Sequence, residues 1–168
     1  CFVLCTSYLM MRGLAEYLRE HSELSVLLQG EMAKGQLLEK FVQQSHSVLV
    51  ATSSFWEGVD VRGDALSLVI IDKLPFSAPD EPLLKARIED CRLRGGDPFN
   101  QVQLPSAVIS LKQGVGRLIR DVTDRGVIII CGSRLVMRAY GETFLKSLPD
   151  ATRTRDLSKV IDFLKQNQ

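Results

Sequence analysis

Five short runs of apolar residues recur along the chain: Phe2–Cys5, Ser25–Leu28, Ser47–Ala51, Leu66–Ile71 and Gly126–Cys131. They do not alternate with polar residues, so each reads as a strand covered on both faces. Residues Leu9 to Glu20, Lys34 to Gln44, Asp80 to Arg94, Pro105 to Arg120 and Arg138 to Leu148 carry helical spacing instead. Gly95 to Gln103 reads as a loop. Strands alternating with helices give βαβ units, hence an α/β fold with a parallel sheet flanked by helices on both faces. Ligands of such sheets bind at the carboxyl ends of the strands. Thr6-Ser7, Gln29-Gly30, Thr52 to Asp60 and Lys73-Leu74-Pro75-Phe76 all fall there. Hydroxyls, glycines and a carboxylate on loops above a rigid sheet suit contacts to a phosphate backbone.

The second feature is Gln113-Gly114-Val115-Gly116-Arg117-Leu118-Ile119-Arg120. As a helix it brings Gln113, Arg117 and Arg120 within about 60° of one another, at roughly 100° per residue. Val108, Leu111, Val115 and Leu118 fall on the opposite side. Two guanidiniums one turn apart above a buried face offer planar, permanently charged forks to a phosphate. The plain alternative is a solvated basic turn.

Composition closes off several classes. With 21 basic and 20 acidic residues, the chain is no basic coat for nucleic acid, and any such site is a local patch. No apolar run reaches the length of a membrane span and no cleavable signal is visible, so a cytoplasmic protein is expected. Cysteines 1, 5, 91 and 131 lack CxxC spacing, which points to reduced, mostly packed thiols rather than a metal site. His21 and His46 read as surface residues. There is no GxxxxGK[ST] loop, and no GxGxxG follows the first strand, which argues against a dinucleotide enzyme. The chain begins inside an apolar run with no initiator Met, so a piece of a longer protein is expected.

Three blocks, in order, carry a resemblance: Ser54-Phe55-Trp56-Glu57-Gly58-Val59-Asp60; Lys73-Leu74-Pro75-Phe76 with Pro79 and Pro82; and Gln113-x-x-Gly116-Arg117-x-Ile119-Arg120. Together they resemble the second, RecA-like motor domain of XPD-family superfamily 2 DNA helicases of the bacterial DinG/YoaA type. The resemblance covers residues 1–148 and leaves 149–168 as a tail with a short helix, Leu157 to Gln166. It implies one half of a 5′–3′ helicase of DNA repair or replication, working on single-stranded DNA. ATP and Mg2+ would be shared with a first motor domain outside this sequence, and an iron–sulfur cluster would belong only to that other part. Arg117 and Arg120 would act as arginine fingers, with Gln113 positioning them or the attacking water. Gly58, Asp60 and Glu57 would line the nucleotide cleft, and Thr6, Ser7 and Thr52 would hold DNA phosphates. The domain alone is then expected to be inactive. Cys131-Gly132-Ser133-Arg134 departs from the family pattern, which often has an acid before the arginine.

Each role has a plainer counterpart. Thr6 and Ser7 also suit a helix cap, and Gly58 an ordinary turn. Phe55 and Trp56 suit packing beneath the loop. Glu57 suits an ion pair with Arg117 or Arg120. Lys85, Arg87, Arg92 and Arg94 suit a solvated face. In the tail, Leu157, Val160, Ile161 and Leu164 form an apolar stripe expected to pack on the domain itself. Arg153, Thr154 and Arg155 stand free to meet a partner, for which the resemblance suggests the clamp-loader chi subunit. A protein-interaction module is therefore the alternative function.

Overall fold

The computed structural model describes residues 1–52, 55, 66–78, 80–116 and 125–166. Five strands, β1 (Phe2–Cys5), β2 (Ser25–Leu28), β3 (Ser47–Thr52), β4 (Leu68–Ile71) and β5 (Val127–Ile130), form one sheet in the order β2-β3-β1-β4-β5. Every neighbouring pair is parallel. β1 and β3 are buried along their whole length, whereas the edge strand β5 is only half-buried. The α/β architecture read from the sequence is therefore the one observed.

Helices cover both faces. On one, α1 (Tyr8–His21) sets Met11 and Ala15 against Val3, Cys5, Val48 and Val50. The other face is thicker. There α2 (Lys34–Gln43) contributes Leu37 and Phe41, and α4 (Leu104–Val115) contributes Leu104, Ala107, Leu111 and Val115, packed over Phe2, Leu4, Leu49 and Val69. The 12-residue α3 (Pro82–Leu93) precedes α4 and buries only Leu84 and Cys91. The chain leaves β1 through α1 toward β2 and leaves β4 through α3 and α4 toward β5. Neighbouring strands whose connections depart in opposite directions open a crevice at their carboxyl ends. In this sheet that point lies between β1 and β4.

Several boundaries differ from the sequence reading. Of the helix expected from Pro105 to Arg120, the described part is α4, Leu104–Val115 with Gly116 as its cap, and residues 117–120 lie outside the described residues. Gly114 falls in its last turn and Gly116 caps it, and glycine is a weak helix former. The expected loop Gly95–Gln103 contains a π-helical turn, Phe99–Gln103. Asp97 starts it by accepting from the Phe99 and Asn100 amides, at 3.0 and 3.3 Å. Of the helix expected over Arg138–Leu148, the part that forms is α6 (Gly141–Ser147), and a separate short helix, α5 (Arg134–Met137), precedes it. They meet so closely that a Cβ on Gly141 would strike the Leu135 carbonyl. The fourth strand starts at Leu68 rather than Leu66, although Leu66 is buried.

The tail helix α7 (Leu157–Gln166) forms where expected but buries none of its residues. The expectation that its apolar stripe packs on the domain is corrected for half of it: Leu157 is 64% and Ile161 49% exposed, whereas Val160 and Leu164 are half-buried. No helix among the described residues is long and apolar enough to cross a membrane.

Candidate nucleic-acid interface

The polar residues flagged at strand ends meet along one edge of the sheet. β1 pairs with β3 so that Cys5 lies opposite Thr52, which puts Thr6, Ser7 and Thr52 side by side. Ser7 caps α1, accepting from the Met10 amide at 3.3 Å through its side chain. Thr6 gives its amide to Oδ1 of Asp72, at 3.0 Å, and its hydroxyl to Oδ2, at 3.1 Å. Thr52, only 5% exposed, gives its amide and hydroxyl to Oε1 of Gln29, at 2.7 and 3.0 Å. Each threonine is thus tied to the strand next to its own, Thr6 to the end of β4 and Thr52 to the end of β2.

A cleft of about 230 Å³ opens beside Thr6, lined by Pro75, Phe76, Ser77, Ala78, Glu81 and Ser110. One wall is the Pro75–Ala78 segment, in which Phe76 is held by aromatic contacts. The Phe76 ring lies 5.9 Å from Phe99, 5.8 Å from Tyr140 and 5.7 Å from Phe144. Offset and edge-on pairs at such spacings add to the energy of burial and fix ring orientation. Phe144 is completely buried, so the cluster anchors the loop to the core. Gln113 is exposed on α4, three residues beyond Ser110.

Burial pushes the Cys5 thiol up to about 11, and the nearby Asp72 carboxylate adds to the shift while Lys73 opposes it. Burial and then Asp72 raise Cys131 as well. Both thiols therefore stay protonated near neutral pH, and the edge carries no thiolate charge. All four cysteines are free; Cys5 and Cys91 are buried and Cys1 half-buried, as expected of mostly packed thiols, while Cys131 is exposed. No group of three or more His, Cys, Asp or Glu suited to a metal occurs among the described residues.

Other plain readings hold. Phe55 is buried in the core. Lys85, Arg87, Arg92 and Arg94 are exposed, with Arg94 paired to Asp90 one turn back. His21 and His46 are exposed. In the tail, Arg153 reaches back to the Leu145 carbonyl at 3.1 Å, while Thr154 accepts from the Asp156 amide at 3.1 Å. Arg155 is exposed. Arg117, Arg120, Glu57, Gly58, Asp60 and Trp56 lie outside the described residues. Asp72 was missed by the sequence reading. It directly follows a buried strand, as Thr6 does, and that shared position was the available signal.

A parallel, doubly wound sheet with its polar residues gathered at the carboxyl edge, around a switch point, places the molecule among α/β domains that bind ligands at that edge. Comparison narrows the class. Residues 1–151 match the helicase C-terminal domain family, and the chain belongs to it. It is 82% identical over 165 residues to the ATP-dependent DNA helicase YoaA of Haemophilus influenzae, covering 98% of this chain and 26% of that one. Against YoaA of Escherichia coli the identity is 71% over 164 residues, with the same coverage. The chain thus spans about a quarter of the length of these relatives. A solved apo structure of XPD superposes with a TM-score of 0.66 at 20% identity, over 91% of this chain and 32% of that one, which supports the fold.

Proposed function

We propose that this domain is the second motor domain of an ATP-dependent DNA helicase, active only together with a first motor domain. The observation that carries the reading is the 82% identity to a protein named as such a helicase, extending over nearly the whole chain. In this reading Arg117 and Arg120 reach across to the γ-phosphate and stabilise charge on the transferring phosphoryl group. Gln113, exposed just before them, positions the guanidiniums or the attacking water. Glu57, Gly58 and Asp60 line the nucleotide cleft. The carboxyl edge bearing Thr6, Ser7 and Thr52 faces the single-stranded DNA backbone.

The sequence has no GxxxxGK[ST] loop, so the phosphate cradle and the Mg2+ ligands fall to the first motor domain, together with any iron–sulfur cluster. ATP supplies the free energy for translocation when bound between the two domains. This chain's part is to complete the charge clamp and to hold DNA. The decisive experiment measures DNA-stimulated ATP hydrolysis by the two-domain protein. Arg117→Ala or Arg120→Ala is expected to lower kcat by roughly a thousandfold with little change in nucleotide affinity. An unchanged kcat would remove the finger assignment, and ATP turnover by this chain alone at helicase rates would overturn the reading.

A second reading is favoured by α7. Its exposed Leu157 and Ile161 follow directly on Arg153, Thr154 and Arg155. The tail would then dock the helicase to a replication accessory protein, with the clamp-loader chi subunit as the candidate. Deleting residues 151–168 is expected to abolish that association and to leave ATP turnover intact.

A further inference from the structure

The two threonines at the carboxyl edge are held alike, yet only one of them is exposed. Thr52 is buried, and its donors go to a neutral amide oxygen of Gln29. Thr6 is exposed, and its amide and hydroxyl both go to the carboxylate of Asp72, 66 residues away in sequence. A threonine hydroxyl carries one proton. With that proton and the backbone N–H both given to Asp72, Thr6 has no donor left for a phosphate oxygen. What it presents outward is lone pairs beside a negative charge, which an anion avoids.

Ser7 is in the opposite state. Its oxygen accepts from the Met10 amide, and among the described residues its own proton has no acceptor. The Thr6–Asp72 pair also spans β1 and β4, the point where the connections of the sheet diverge and where the cleft beside Thr6 opens.

We infer that Asp72 is a positioning residue of the DNA edge: by gripping both donors of Thr6 it fixes the turn between β1 and α1, so that Ser7, not Thr6, offers its hydroxyl to the phosphate. This rests on the reading of that edge as the DNA contact. Asp72 touches no DNA and acts through Thr6, which serves as a strut.

The test is the affinity of the full-length helicase for a labelled oligothymidylate, read by fluorescence anisotropy. Asp72→Ala is expected to weaken binding by about tenfold, the scale of one lost charge-assisted hydrogen bond. Asp72→Asn is expected to restore most of that loss, because its amide still accepts from the Thr6 N–H and donates to the Thr6 oxygen. If Asp72 acts through Thr6, the double variant Asp72→Ala/Thr6→Ala binds no more weakly than Asp72→Ala alone. Unchanged or tighter binding by Asp72→Ala overturns the inference, since a Thr6 that itself grips phosphate would gain from losing a competing carboxylate. Additive losses in the double variant overturn it too, as does an Asp72→Asn no better than Asp72→Ala. Nucleotide affinity and thermal midpoint, measured alongside, separate a local effect from misfolding. Ser7→Asp tests the underlying reading: if it binds DNA as the parent does, the edge is not the contact and the functional assignment of this edge fails with it.

Discussion

Helices α1 and α7 carry the same apolar spacing and meet opposite fates. In α1 the stripe is Met11, Leu14, Ala15 and Leu18; in α7 it is Leu157, Val160, Ile161 and Leu164, in both cases at i, i+3, i+4 and i+7. Met11 and Ala15 are sealed against the sheet, while no residue of α7 is buried. The difference lies in connection. α1 is strung between β1 and β2, both members of one sheet, so the crossover lays it on the strands. α7 follows the segment 148–156, tied back at Arg153 to the Leu145 carbonyl. Periodicity makes a helix amphipathic, but topology decides whether its apolar side finds a cover.

If that contrast is right, substitutions should hurt in proportion to how far a residue is built into the sheet-bound body. The largest effect is expected for Phe144→Ala, which empties a fully buried site and takes away the floor of the aromatic cluster under Phe76. A loss of about 4 kcal/mol in urea unfolding is expected. Next comes Gly141→Ala, whose new Cβ meets the Leu135 carbonyl and forces α5 and α6 apart. About 2 kcal/mol is expected, read as a lowered thermal midpoint.

A smaller effect attaches to Arg19–Glu31, at 2.8 Å, which links α1 to the turn after β2. The hydrogen bond from Arg19 holds the Glu31 carboxyl below its usual range. Its contribution is therefore present above the ordinary carboxylate range and is lost as pH falls through the lowered value. Both side chains are about two-fifths exposed, so screening limits Glu31→Gln to roughly 0.5 kcal/mol. The gap between parent and variant should close on acidification and shrink in salt. Smallest of all, Ile161→Ala on α7 should change stability by less than about 0.5 kcal/mol. A loss above about 1 kcal/mol would mean that α7 is covered after all, and the contrast with α1 would fall.

Much of the body was legible because buried parallel strands announce themselves as unbroken apolar runs. Phe2–Cys5, Ser25–Leu28 and Ser47–Ala51 each appear as a strand, with Thr52 added to the third. The helix carrying Gln113 was also legible, whereas its cap at Gly116 was not, because apolar periodicity does not mark where Gly114 and Gly116 weaken the helix. The start of α6 at Gly141, after the separate α5, escaped for another reason. It depends on the contact between Gly141 and Leu135, which no periodicity encodes. At the site, the sequence located the hydroxyls of Thr6, Ser7 and Thr52 but not what each one holds. A hydroxyl at a strand end serves equally as a cap, a strut or a ligand contact, and the partner chooses.

The sequence by itself determined the strands, their parallel sense and the edge where polar groups collect, since hydrophobic patterning is local and accumulates residue by residue. Only the tertiary structure decided that Asp72 takes the donors of Thr6, that Gln29 takes those of Thr52, that three aromatic rings support Phe76, and that Leu157 and Ile161 of α7 stay exposed. Those outcomes depend on which distant groups are carried within hydrogen-bonding or van der Waals reach, and that distance is fixed by the packing of the whole sheet rather than by any neighbour along the chain.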